Sequence, residues 1–549
     1  MSVRVRALEP SLQAIQPTVL ASVHRGWTTL NRVLGHPAAL GGVCCCLVLA
    51  NTLPLLGAWW GPIDDHEMAL YLAPSHTLDL PRAWAFFLET EAGHPGGSNR
   101  FRPAYYAVRL LEAVLVGDHP EVFYAGRILM TVFTLTVLAW MLRGVVATVE
   151  NLVLTGWVLT FPLWEDLTAH LGPAEMYAAV GLALYAVGAD LLFRRRRRRT
   201  SGAGAACLWL AGGVLASGAK ENMLFLGLPT LLLLGLELWR GARRPHVVGA
   251  AVGMLAFMVF VAGAVVVGVT KHGTLYHQDA APSHRLRILI LGAEHVWANS
   301  ALWVVLPLAV CALGLTFSRS PRVRRVLLHT TSRTGVALLL LGVLHLSQLV
   351  FYDGRWPSGP WCCGRYDFPG VLAVPLALHA GYRWLLHMAR LARIPTPLLT
   401  AARSTVTLVL LVGVVQLEVP LRVAAEKTFK ETHVFHEKLE TLVRHCREQP
   451  DWPVVLSSHS ALDYEWIVSL PRFMGLAGAQ PRVFLNLHLA AGASSPSSLE
   501  HELVLSMERW AREGLSPLVL PGRQFPGPPC WGVRLRGAPG VCTPSVDFP

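Results

Sequence analysis

The chain has 549 residues, of which 53% are hydrophobic and 15% charged, with a mean hydropathy of +0.44. That is too apolar for a soluble enzyme of ordinary composition and marks a polytopic membrane protein. Its net charge of +12 would suit an acidic partner, but the basic residues stand in short runs between apolar segments, such as RRRRRR at 194–199, which is a pattern of membrane topology and argues against nucleic acid.

In chain order, residues 1–37 carry Arg4, Arg6, Arg25 and Arg32 ahead of an apolar run at 38–60. The run exceeds a signal-peptide core and has no small-residue cleavage pattern, so it reads as an uncleaved anchor behind a cytoplasmic segment. Further apolar stretches recur at 123–145, 147–163, 175–193, 203–218, 222–239, 246–269, 297–317, 334–351, 367–386 and 396–419. That makes about eleven spans, since a helix needs roughly 20 residues to cross the hydrocarbon. The run PAYYAVRLLEAVLVG at 103–117 is ambiguous, being short and carrying Arg109 and Glu112.

Charge decides that segment. If 103–117 stays out of the membrane core, the basic N-terminus, Arg143, the six arginines, RGARR at 240–244, SRSPRVRR at 318–325 and HMARLARIP at 387–395 all fall on the cytoplasmic side. If it crosses, nearly all of them invert. It is therefore expected as an amphipathic helix in the outer interface. The loops 61–122, 164–174, 219–222, 270–296 and 352–366, and everything after 420, then face outside. Beyond 420 no apolar run of spanning length remains, and PVVLSS and RVFLNLH read as strands. The expected architecture is an all-α polytopic membrane bundle over 38–420 with a large first external loop, 61–122. A small external α/β domain follows over 421–549, tethered by its first helix.

Ionisable residues collect at the external ends of different spans. WWGPIDDHEM at 59–68 holds Asp64, Asp65, His66 and Glu67; WEDLTAHLGPAE at 164–175 holds Glu165, Asp166, His170 and Glu175; KEN at 220–222 holds Lys220, Glu221 and Asn222. The first loop adds His94, Arg100, Arg102 and Tyr105 within or before RFRPAYY, and the late loop adds Asp353, Arg355 and CCGRYDFP, with Arg365, Tyr366 and Asp367. A charge at the bilayer centre costs about 2.5 to 3.5 kcal/mol on insertion scales, so such groups belong at interfaces or in wet cavities. Any one of these acids is accounted for as a solvated helix end. Together they can line one cavity that supplies carboxylates for a base and guanidinium forks for a phosphate.

An acidic pair just past the first span, an RP leading into a membrane-lying helix, an LGPAE loop, a KEN turn and a late RYDFP together resemble the GT-C superfamily of polytopic glycosyltransferases. These use polyprenyl-phosphate-linked sugars and include the protein mannosyltransferases and the aminoarabinose transferases. The resemblance covers roughly residues 38 to 420 and rests on the order and sidedness of its motifs. It implies inverting sugar transfer from a polyprenyl-phosphate donor to a protein, lipid or glycan acceptor, with a first-loop aspartate, Asp64 or Asp65, as general base. It implies phosphate and donor contacts from Arg102, Lys220, Arg355 and Arg365. A second acidic site would comprise Glu165, Asp166 and Glu175, with His66, Glu221, Tyr366 and Asp367 in support. In some members the second acidic site helps hold a divalent metal and in others it only orients the acceptor; the resemblance commits to no metal here, and Asp65 and Asp166 are the positions that Mg²⁺ or Mn²⁺ would use. The adjacent DDHE departs from the spaced acidic pair of several members.

The competing readings are a polyprenyl-lipid ligase or polymerase, and a transporter or flippase; no inverted repeat with midplane charges favours the transporter. SSHSALDYEW at 457–466 holds Ser, His and Asp but lacks a nucleophile-elbow pattern and reads as a strand-to-helix cap. Of the ten cysteines, Cys44, Cys45, Cys46, Cys207 and Cys311 fall inside apolar runs; Cys362 and Cys363 are external, and a Cys530–Cys542 bridge is the simplest pairing. The Gly-, Ala- and Arg-rich composition suggests a bacterial inner membrane with a periplasmic catalytic face.

Overall fold

The computed structural model describes residues 22, 25–61, 65–98, 100–142, 148–160, 163–193, 202–239, 241, 244–272, 321, 365, 368–369, 372, 382, 386, 396–416, 420–448, 454–458, 464–479, 483–487 and 518–520. Six stretches among them are helical, long and apolar enough to cross a membrane: Pro37–Gly57, Pro120–Leu142, Ala174–Phe193, Gly202–Ala219, Glu221–Trp239 and Pro245–Lys271. The protein is an integral membrane protein, mostly helical. The stretches expected at 297–317, 334–351 and most of 367–386 lie outside the described residues.

Helix α1 (Pro37–Thr52) starts with Pro37 in its first turn, where a missing N–H costs nothing, and gives way to a 3-10 turn at Leu53–Gly57 that contains Pro54. The first loop then supplies α2 (His66–Leu72), α3 (Leu80–Glu89) and α4 (Pro103–Val116) before α5 (Pro120–Leu142) enters the bundle. Gly117, with φ 66°, makes the turn out of α4. The segment expected as one span at 147–163 is two helices, α6 (Thr148–Val158) and α7 (Leu163–Ala169). Eleven residues rise only about 16 Å, half the hydrocarbon thickness. In the sequence Pro162 stands between the two, a residue with no N–H to donate within a helix.

Helices α8 (Ala174–Phe193) and α9 (Gly202–Ala219) form the most closely packed pair among the described residues. A Cβ on Gly181 would lie 2.5 Å from Ala216 N, and one on Gly188 would lie 2.5 Å from Trp209 N, so only glycine permits this approach. A 3-10 turn (Glu221–Leu226), α10 (Gly227–Trp239) and α11 (Pro245–His272) follow. At the arginine-run end, Arg244 donates to both Glu237 carboxylate oxygens and to Leu192 O, which ties α8 to α10 and α11. Glu150 on α6 is gripped by Arg403 of α12 (Thr396–Gln416) and by the Tyr382 hydroxyl.

The amphipathic α13 (Pro420–Glu448) buries Leu421, Ala425, Thr428, Thr432, Phe435, Leu439, Leu442 and Cys446, a stripe recurring every three or four residues. It is about 43 Å long and packs against α1, the 3-10 turn after it and α7. Trp59 N donates to Thr432 Oγ1 at 3.1 Å, and the Trp59 indole stacks on His436 at 3.9 Å. Three short parallel strands, β1 (Val454–Ser458), β2 (Val483–Leu487) and β3 (Leu518–Leu520), pair in the order β2-β1-β3. Between β1 and β2, α14 (Tyr464–Leu476) packs on α2 and brings Leu470, Phe473 and Met474 into the same apolar core as Met68, Ala69 and Leu72.

Candidate functional site

The loop leaving α1 is held by its own aspartate. Asp65 is 1% exposed; its Oδ2 accepts the Gly61 N–H at 2.7 Å, and the Tyr124 hydroxyl on α5 also hydrogen-bonds its carboxylate. Two residues on, Glu67 Oε2 stands 3.1 Å from the Tyr105 hydroxyl on α4, which is 2.9 Å from Gly172 O in the loop before α8. The acidic first loop, the RFRPAYY segment and LGPAE therefore meet at one point. Burial, reinforced by Glu67, keeps the Tyr105 hydroxyl protonated far above its ordinary range, so it serves as a neutral donor. Asp118 closes the loop, accepting Trp60 Nε1 at 2.7 Å and lying 2.6 Å from His76 Nδ1.

The second acidic loop faces the late motif. Asp166 Oδ2 accepts the Arg365 N–H at 3.0 Å, across 199 residues of sequence. Lys220 Nζ donates to Glu175 Oε1 at 2.6 Å with both residues nearly buried, and Arg365 adds a second positive charge within reach of Glu175. Asn222 Nδ2 donates to Phe368 O at 3.3 Å, so the KEN turn touches the RYDFP segment directly. Glu165, half-buried in the first turn of α7, has its carboxyl pushed up by burial and by Asp166, against the opposing pull of Lys427 on α13.

Arg102 sits between two carboxylates, 3.5 Å from Glu91 and 3.6 Å from Glu221, with its guanidinium over the Tyr105 ring at 5.3 Å and the Tyr106 ring at 6.0 Å. Burial opposes its charge, and Glu221 and Glu91 more than offset that. The same burial raises Glu91, only partly countered by Arg102. Lys220, Glu221 and Asn222 are consecutive, so the 3-10 turn joins the Arg102 cluster to the Glu175 cluster.

A further set escaped the sequence reading. Arg109 on α4 is fully buried, with Glu112 at 3.8 Å; Arg127 on α5 donates to Leu171 O and, at 2.9 Å, to the Tyr177 hydroxyl, which donates to Glu112. The signal was present: Tyr105, Arg109 and Glu112 recur at i, i+4 and i+7, one face of a helix. Those charges weighed against a membrane crossing, but the same spacing also marks the face of α4 that turns toward α5 and α8.

Of the expected site residues, Asp65, His66, Arg102, Glu165, Asp166, Glu175, Lys220, Glu221 and Arg365 are described; Asp64, Arg355, Tyr366 and Asp367 lie outside the described residues, as do Cys362, Cys363, Cys530 and Cys542. Among the described residues no three His, Cys, Asp or Glu side chains converge as metal ligands. Asp65 Oδ2 and Asp166 Oδ2, from the two positions that a cation would use, each accept a backbone N–H.

The fold and site define a polytopic membrane protein with acid–base clusters from several loops at one end of its bundle. No protein-family description matches the chain, and no curated protein matches its sequence. Among solved structures it is similar to ArnT from Cupriavidus metallidurans bound to undecaprenyl phosphate, at 15% identity and a TM-score of 0.37, over 90% of this chain and 89% of that one. The apo state of the same ArnT aligns at 14% identity and a TM-score of 0.35, with the same coverage.

Proposed function

We propose that this protein is a glycosyltransferase that moves a sugar from a polyprenyl-phosphate carrier to an acceptor hydroxyl or amine at the external membrane face. The observation that carries the reading is the junction of Glu175 with Lys220 and of Asp166 with Arg365, which brings three loops together beside the acidic first loop. The acceptor oxygen or nitrogen forms the new bond to the anomeric carbon as the bond to the phosphate oxygen breaks. The acceptor proton passes to a carboxylate, and the electron pair leaves with the lipid phosphate. Asp65 already serves Gly61 and Tyr124 and is buried, which favours Asp64 as the base. A positioned base contributes about 10²- to 10⁴-fold. Preorganised charge on the departing phosphate supplies the larger share.

Arg365 and Arg355 are the phosphate contacts in this reading. Arg102 is balanced by Glu91 and Glu221, and Lys220 by Glu175, so their role is to hold the loops that present the site. The reading includes about eleven spans over 38–420, a catalytic face toward a bacterial periplasm, and a C-terminal external unit over 421–549 that meets the acceptor.

The test is transfer of label from radiolabelled polyprenyl-phosphate sugars in membranes carrying the protein. Asp64→Asn is expected to lower turnover about 10²-fold or more with unchanged amounts of folded protein. Asp65→Asn is expected to lower folded yield as well as activity. Equal transfer by wild type and Asp64→Asn would remove the proposed base.

A further inference from the structure

The acidic segment of the first loop is gripped on both sides by helices that follow residue 419. Ahead of the acids, Trp59 is held by α13. Its N–H donates to Thr432 Oγ1 at 3.1 Å, from 373 residues away in the chain, and its indole lies flat on the His436 ring, 3.9 Å away and 7° from parallel. About one turn earlier on α13, Phe429 closes on Gly57, where an added Cβ would stand 3.1 Å from the ring. Phe429, Thr432 and His436 recur at i, i+3 and i+7, so one face of α13 runs along residues 57–59.

Beyond the acids, α2 starts one residue past Asp65 and lies against α14. Leu470, Phe473 and Met474 share an apolar core with Met68, Ala69 and Leu72, all of them buried. The two grips are joined to each other. Phe435 of α13 meets Phe473 of α14 edge to face at 5.3 Å, and Arg447 Nη2 donates to Ala477 O, just past the end of α14, at 2.7 Å. Between the grips, Asp118 holds Trp60 and the Tyr124 hydroxyl holds Asp65. A segment fixed at both ends keeps few backbone conformations, so a carboxylate on it points in one direction.

We propose that α13 and α14 form a brace that sets the direction of the first-loop acids, with Thr432 and His436 as positioning residues that act through Trp59. The proposal rests on the reading above that a first-loop aspartate is the base. It gives the chain after 419 a part in the chemical step in addition to any contact with the acceptor. The physical logic is preorganisation: a base already held in line needs no ordering at the moment of reaction, and a misplacement of about 1 Å can cost on the order of 10²-fold. Trp59 is 39% exposed, so its stack on His436 lies at the edge of the apolar core and can be removed without opening it.

The experiment compares wild type with His436→Ala, His436→Phe and Thr432→Val in the full chain in detergent micelles. Hydrogen–deuterium exchange, read by mass spectrometry on peptides covering 58–72, is expected to speed up about tenfold in His436→Ala and in Thr432→Val. His436→Phe keeps a flat ring on the indole and is expected to exchange at the wild-type rate. In the sugar-transfer assay His436→Ala is expected to lower kcat about tenfold at unchanged donor KM, with His436→Phe restoring it. Wild-type exchange at 58–72 in His436→Ala would overturn the brace. Faster exchange with kcat unchanged, with KM raised instead, or without rescue by His436→Phe would overturn it too. Should His436→Ala not accumulate as folded protein, Thr432→Val carries the same test. Absence of transfer by wild type would count against the glycosyltransferase reading, and the exchange measurement then decides the brace by itself.

Discussion

The Glu175–Lys220 pair is the sharpest test of the site's construction. Its Nζ–Oε1 distance is 2.6 Å, and the two residues are 3% and 6% exposed, so neither charge has enough water to survive alone. Removing Lys220 leaves the buried Glu175 only the second charge of Arg365, and removing Glu175 takes the close carboxylate from a buried lysine; breaking a buried pair in this way typically costs about 3 to 5 kcal/mol, whereas removing both is often close to neutral. Glu175→Gln and Lys220→Met are each expected to lose about that much against SDS-induced unfolding in detergent micelles. The double variant is expected to recover most of it. A purified panel of the four proteins gives the coupling energy directly. Single variants within about 0.5 kcal/mol of wild type would refute the reasoning, because surface pairs behave that way and buried ones do not. The cycle also separates two roles for Lys220. A lysine reserved for a donor phosphate would raise KM in the single and double variants alike, without the stability rescue.

Other outcomes follow from the same geometry. Glu165 has its carboxyl raised by burial and by Asp166, so the folded state holds its proton more tightly than the unfolded one; stability should fall as pH rises from the ordinary value of 4.5 through the raised one. Glu165→Gln should abolish that part of the slope in a pH series of unfolding curves, and Lys427→Met should extend it to higher pH. Gly188→Leu drives a side chain into the backbone at Trp209 and should cost at least the 1 to 3 kcal/mol typical of overpacking, read as loss of the monodisperse peak in size-exclusion chromatography. Asp118→Ala releases Trp60 and His76 together, a loss of about 1 to 3 kcal/mol, and should open the first loop to limited proteolysis while the spans stay protected.

How far the site was legible depends on whether a residue's role was local. The acidic and basic motifs were visible because charge cannot be stranded in hydrocarbon, so ionisable residues mark span ends wherever they fall. Which charges balance each other was not visible. The resemblance implied phosphate contacts for Arg102 and Lys220; what it did not carry is that Arg102 lies between Glu91 and Glu221 and that Lys220 pairs with Glu175. Asp65 read as an alternative base, yet it caps its own loop.

The sequence by itself determined the membrane class and the positions of the six described spans. These follow from apolar length and charge, quantities that each segment carries alone, because a backbone in lipid must satisfy its hydrogen bonds within its own helix. Tertiary structure decided the rest. The glycine contact between α8 and α9 and the meeting of Asp166 with Arg365 across 199 residues depend on how helices pack. Packing sets distances between segments that no window along the chain contains.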